Sequence, residues 1–120
     1  VNRKQLKQYL SVITKFRNVC AHGERLFSYQ TRNDIPDTDL HLKMGIPKNG
    51  TQYTLGKRDL FAVVIAFRYL LPNEDFKRFK ASLTSVIQHY LKSSGAMTDA
   101  SLYQYMGFPS NWSKITAYKK

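Results

Sequence analysis

The chain holds one cysteine, Cys20, in 120 residues. That excludes an internal disulfide and a cysteine-based zinc site. Long apolar runs are missing as well. The longest, Leu60 to Phe67, stops at Arg68, far short of the ~18 residues that a membrane span needs. Acidic residues are scarce: 8 Asp and Glu stand against 19 Lys and Arg, a net charge of +11. The chain shows no internal repeat, no low-complexity tract and no obvious paired carboxylates to hold two cations. It opens on Val1 without a secretory signal. We therefore expect an excised cytoplasmic domain without a membrane partner.

What is present is apolar enough to fold. Hydrophobic residues make up 42% of the chain, enough for one domain over residues 1–120 with a modest core. The positive excess points to a polyanion as partner, nucleic acid first.

Periodicity predicts an all-α fold, a helical bundle of three long helices and one short. Leu6, Tyr9, Leu10, Ile13, Phe16 and Cys20 recur at helical steps over residues 3–22. A second helix is expected over 57–71, apolar almost all round and therefore central. Pro72 ends it, and Asn73 is expected to cap a third helix through Lys92, with Phe76, Phe79, Leu83, Val86 and Tyr90 on its inner face. A short fourth helix is expected after Thr98, carrying Leu102, Tyr103 and Met106. Phe108 and Trp112 should fold back on the core, being costly to leave in water. Residues 28–57 show no helical period and hold Pro36, Pro47, Gly45, Gly50 and Gly56. They form a long irregular loop that is either an ordered flap or a hidden hairpin.

The richest chemistry lies in Phe16-Arg17-Asn18-Val19-Cys20-Ala21-His22-Gly23-Glu24-Arg25-Leu26. On a helical wheel Lys4, Gln8, Ser11, Lys15, Asn18, His22 and Arg25 share a polar stripe. Leu6, Leu10, Ile13 and Cys20 lie opposite, and Arg17 falls with them. A guanidinium on an apolar stripe needs a carboxylate, carbonyls or a phosphate. Arg17 and His22 point roughly 140° apart on an unbroken helix. They meet on one ligand through a distortion near Gly23, a curled Arg17, or two chains pooling residues.

Such a trio suits RNA cleavage. RNA carries its own nucleophile, the 2′-hydroxyl, so the protein must supply a base, an acid and positive charge at the phosphorus. His22 titrates near neutral pH and can serve as base or acid. Arg17 can hold phosphate oxygens in a bidentate pair, and Asn18 can orient the imidazole. No metal or cofactor is required. Lys15, Arg25, Lys57 and Arg58 are candidate phosphate grips. The bare spacing carries little by itself, since seven arginines and three histidines make a chance match common.

The longer string adds to it. Arg-Asn-Val-Cys-Ala-His-Gly-Glu-Arg-Leu resembles the signature of Abi-like (AbiD/AbiF type) abortive-infection proteins of the HEPN superfamily. The likeness maps the superfamily motif onto Arg17, Asn18 and His22. It continues through Arg58-Asp59-Leu60-Phe61 and Tyr105-Met106-Gly107-Phe108-Pro109-Ser110-Asn111-Trp112, and departs at Phe27-Ser28, where Trp-Asn is expected. The resemblance implies the C-terminal part of a longer protein, with a helical HEPN-like fold and homodimerisation. It also implies a metal-independent endoribonuclease in phage defence, a toxin to its host cell. The alternatives on residues alone are a non-catalytic RNA-binding module and a protein-interaction domain.

Other candidates are weaker. Asp34, Asp37 and Asp39 could bind a cation, though a solvated acidic loop is the plainer reading. His41 is expected to be solvent-exposed, and His89 a surface residue. Cys20 reads as a small core residue. Tyr103 and Tyr105 could stack on bases, but at least one should pack in the core.

Overall fold

The computed structural model describes residues 2–21, 29–94, 103, 108, 109 and 111–117, without the side chains of residues 19–21, 90, 91, 93 and 94. Its elements in chain order are α1 (Arg3–Ala21), α2 (Asp39–Lys43), β1 (Lys48–Asn49), β2 (Gln52–Tyr53), α3 (Leu60–Leu70), α4 (Asn73–Ser94) and a 3₁₀ helix (Trp112–Ala117). The fold is mainly α, and β1 and β2 form a two-stranded antiparallel sheet.

Helix α1 starts where its donors are satisfied. The Gln5 amide N–H donates to the Asn2 side chain at 2.8 Å, and the Asn2 N–H donates back to Gln5 Oε1 at 3.1 Å. This is a reciprocal capping box. Tyr9, Val12 and Phe16 are buried, with Ile13 packed beside them. This corrects the expected inner stripe: Leu6 is 39% and Leu10 48% exposed. The sequence carries two apolar stripes roughly 100° apart on this helix. Periodicity shows that both exist, but not which one meets the core. The stripe with two aromatic rings wins, because the rings find partners: Tyr9 stacks on Tyr69 at 6.2 Å and Phe16 meets Tyr29 edge-on at 5.2 Å.

Helix α3 is central, as its composition predicts. Leu60 to Ala66 are all buried, and the helix packs against both α1 and α4. It begins three residues later than expected, because Asp59 caps it by accepting the Ala62 N–H at 3.1 Å. Lys57 and Arg58 therefore lie before the helix.

Helix α4 buries Phe76, Leu83 and Ile87, with Phe79 packed against the core. Val86, expected inside, is 51% exposed; Ile87, one position on, takes the inner place. Asn73 does not stand outside α4 as a cap. The Phe76 N–H already donates to the Pro72 carbonyl at 2.9 Å, and Asn73 Oδ1 accepts from Arg68 Nη1 at 3.0 Å.

The expected loop is ordered in its described part, 29–57, and is both a flap and a hairpin. Residues 31 and 35 donate backbone N–H bonds to the carbonyls of Arg58 and Lys57. Thr38 then caps α2, and Lys48 pairs with Tyr53 and Asn49 with Gln52. Gly50 takes φ 68° at the first of the two connecting residues, the positive φ that so short a connection needs. The tail also packs as expected. Phe108 and Trp112 are buried, and Phe108 touches both Phe61 and Trp112. The expected helix after Thr98 lies outside the described residues apart from Tyr103, which is half-buried against the core.

Candidate nucleic-acid interface

Arg17 and Asn18 sit in the last described turns of α1, both exposed. Arg17 does share the face of Leu6 and Leu10, but that face is not the buried one. The expectation of a guanidinium needing an internal partner is corrected accordingly. Asn18 lies roughly 100° round the helix from Arg17. His22 and Arg25, and the side chain of Cys20, lie outside the described residues.

The polar stripe of α1 meets a second element. Asn33 Nδ2 donates to Ser11 Oγ at 3.1 Å, fastening the 29–35 segment to the helix. Along this seam runs a groove of about 440 Å³, lined by Lys7, Gln8, Ser11, Arg32, Asn33, Asp34 and Arg58. Three cations against one carboxylate make it electropositive. Lys15 and Asn18, both exposed, continue the stripe of Ser11 toward the end of the helix.

Of the remaining proposed grips, Arg58 is half-exposed and pairs with Asp34 at 3.1 Å. Lys57 is different. It is only 8% exposed, its ammonium donates to the Ile35 carbonyl, and it pairs with Asp37 at 2.6 Å. A lysine so placed fastens the 31–37 flap to the start of α3 and is turned away from solvent, which corrects its assignment as a phosphate grip. The ammonium holds the Asp37 carboxyl below its ordinary value, through the hydrogen bond first and charge second. Asp34, Asp37 and Asp39 thus do not converge, and no cluster of potential metal ligands occurs among the described residues.

Compared with protein families, curated proteins and solved structures, the chain matches none.

The sequence reading missed Lys7 and Arg32. They are far apart in the chain and fall in no motif; only the docking of 29–35 on α1 brings them to one groove. It also missed a larger cleft of about 590 Å³ on the other side of Arg58 and Asp34. Gln30, Asn49, Gln52, Tyr53, Thr54, Lys57 and Asp59 complete its lining.

His41, expected in solvent, is fully buried. The Thr38 N–H donates to its Nδ1 at 3.1 Å, so Nε2 carries the proton and donates to the Gly56 carbonyl at 2.7 Å. The ring stacks on Tyr53 at 4.9 Å. Burial pulls its pKa below the ordinary value, against the pull of the Gly56 hydrogen bond. Asp59 shifts the other way: burial pushes it up to about 6 despite four backbone hydrogen bonds, those from Gly56 and Ala62 foremost. Tyr9 is pushed up to about 12 by burial and by neighbouring Tyr69. These groups are structural. None lies on the exposed face of α1.

Proposed function

We propose that the chain is a metal-independent endoribonuclease domain of an Abi-like, HEPN-type antiviral protein, working as a homodimer in the cytoplasm. The observation that carries this reading is the division of the exposed surface of α1. One stripe lines an electropositive groove and runs on through Lys15 to Asn18. The other is apolar, with Leu6 and Leu10 open to solvent, and ends at Arg17. A polyanion suits the first stripe and a second copy of the chain suits the second. An interface along Leu6 and Leu10 would carry Arg17 toward the partner.

In this mechanism the RNA 2′-oxygen bonds to phosphorus as the P–O5′ bond breaks, and His22 takes the 2′-hydroxyl proton and returns one to the departing 5′-oxygen. Arg17 neutralises the pentavalent phosphate, and Asn18 orients the imidazole or the phosphate. The product is a 2′,3′-cyclic phosphate. Lys7, Lys15 and Arg32 hold the strand through its backbone.

The test is RNA cleavage by the wild-type chain in EDTA, with the 2′,3′-cyclic end as readout, and its abolition in His22→Ala. RNA binding without a cyclic product would leave a non-catalytic RNA-binding module. Cleavage that survives His22→Ala would remove the histidine from the chemistry.

A further inference from the structure

The two cavities beside Arg58 differ in chemistry and share one wall. The smaller is lined by Lys7 and Arg32 as well as Arg58. The larger presents three carboxamides, Gln30, Asn49 and Gln52, with the hydroxyl of Thr54, above two buried charged groups already engaged, Lys57 paired with Asp37 and Asp59 capping α3. Arg58 and Asp34 border both. Their 3.1 Å ion pair offsets the carboxylate that the two cavities share. A nucleotide unit has the same division: an anionic phosphate at one end and a flat, neutral, hydrogen-bonding base at the other.

We propose that the cleft between the β1–β2 hairpin and the Gln30–Asp34 segment receives an unpaired base of single-stranded RNA, its phosphate lying toward Lys7 and Arg32. This deepens the RNA reading and rests on it. Carboxamides carry both donor and acceptor and can match the Watson–Crick edge of a base. That edge is free only in unpaired RNA, so duplex RNA is excluded. The base is read by hydrogen bonds rather than by stacking on Tyr53. That ring already stacks on His41 and carries Lys48 Nζ 4.7 Å from its centroid. The side chains concerned sit on a hydrogen-bonded frame. The hairpin is closed at its base by Thr54, whose N–H and hydroxyl both donate to the Pro47 carbonyl. The opposite wall is held by the Thr31 N–H bond to the Arg58 carbonyl.

The experiment compares binding of a short single-stranded 2′-O-methyl RNA, which cannot be cut, with an abasic oligonucleotide of the same length. The wild-type chain should bind the RNA about tenfold tighter, the discrimination that one good pair of amide–base hydrogen bonds provides. The Asn49→Ala/Gln52→Ala variant should lose that difference and keep its affinity for the abasic strand. Both side chains are exposed, and Gln30→Ala, outside the hairpin, should act the same way should the double variant melt early. Lys7→Gln/Arg32→Gln should weaken both ligands alike. Equal binding of the two ligands by the wild type, or an undiminished difference in both Asn49→Ala/Gln52→Ala and Gln30→Ala, would overturn the proposal. So would a nucleoside monophosphate bound as tightly as the oligonucleotide, which would assign the cleft to a free ligand. Cleavage with no base-dependent binding would refute the cleft alone. Base-dependent binding without a cyclic product would refute the nuclease alone.

Discussion

His41 and Asp59 grip opposite sides of one residue, Gly56. His41 Nε2 donates to the Gly56 carbonyl at 2.7 Å, and the Gly56 N–H donates to both Asp59 oxygens at 3.1 and 3.2 Å. The first bond ties α2 to the end of the hairpin, and the second ties that end to the start of α3. His41→Ala should therefore do more than open a cavity. It strands the Gly56 acceptor and removes the side chain that completes the Thr38 capping box. We expect a loss of about 2–4 kcal/mol in urea denaturation at pH 7. A loss below about 0.5 kcal/mol, the level of an ordinary surface substitution, would show that the junction does not hold the flap.

Gly56 itself should resist substitution. Its φ is +75°, and an added Cβ would stand 3.0 Å from Ile65 Cδ1 and 3.2 Å from Phe61 Cδ2. Gly45 and Gly50 have similar positive φ but open space around them. All three alanine variants incur the left-handed backbone penalty of about 1–2 kcal/mol. Only Gly56→Ala adds overpacking of about 1–3 kcal/mol. The order of thermal midpoints should be Gly45→Ala and Gly50→Ala together, with Gly56→Ala clearly below. Three equal midpoints would show that Ile65 and Phe61 yield freely.

Asp59 makes stability depend on pH in an unusual direction. Its folded pKa of about 6 lies above the ordinary 3.8, so the folded state holds the proton more tightly. The contribution is fully present below pH 3.8 and is lost as pH rises through 6. Across that window it amounts to about 3 kcal/mol, the free-energy equivalent of the displacement. His41 works against it: its depressed pKa costs stability as pH falls below 6.5. Wild-type curves alone will therefore mix the two effects. Asp59→Asn keeps an N-cap of equal rank and removes one of them. Relative to wild type, the variant should gain stability from pH 4 to about pH 6 and level off above it. A difference that stays flat across this range would place the Asp59 pKa near its ordinary value.

The long helices, the central place of α3 and the return of Phe108 and Trp112 were legible because each follows from local pattern or from the cost of exposed rings. Which face of α1 turns inward was not. Tyr9-Val12-Phe16 and Leu6-Leu10-Ile13 have the same period, and the choice depends on Tyr69 and Tyr29, distant in sequence. His41 was misjudged for a related reason. Its acidic surroundings suggest solvent, while its actual partners, Gly56 and Tyr53, lie 15 and 12 positions away and arrive only when the hairpin closes. Lys57 reads as one of a basic pair with Arg58, yet the two diverge once Asp59 starts the helix. The groove was illegible because Lys7 and Arg32 share no motif. The Arg17-Asn18 pair could be located from the sequence because its position depends only on α1.

Lys57 and Lys15 offer a direct contrast between structure and grip. Lys57→Met should cost about 1–3 kcal/mol, since the Ile35 carbonyl loses its buried donor. Its RNA affinity should keep the wild-type dependence on salt. Lys15→Gln, on the exposed polar stripe, should leave stability unchanged. It should reduce the slope of log affinity against log salt by about one unit, the signature of one lost phosphate contact. If Lys57→Met lowers that slope while Lys15→Gln does not, the two assignments are reversed.

Subunit mixing is the sharpest test of a shared site. Leu10 is half-exposed on the stripe that ends at Arg17. A carboxylate there opposes an apolar interface, so Leu10→Glu should sediment as a monomer and lose cleavage together. Arg17→Ala and His22→Ala should each be inactive alone. Suppose each site takes Arg17 from one chain and His22 from the other. A mixed dimer of the two variants then contains one doubly damaged site and one intact site. After random exchange of equal amounts, half the dimers are mixed, and activity should recover to about a quarter of the wild-type level. If both residues of a site come from the same chain, every site in the mixture stays damaged and nothing is restored. An inactive mixture, with subunit exchange verified by mass spectrometry, would confine the chemistry to single chains and leave Leu6 and Leu10 without a catalytic role.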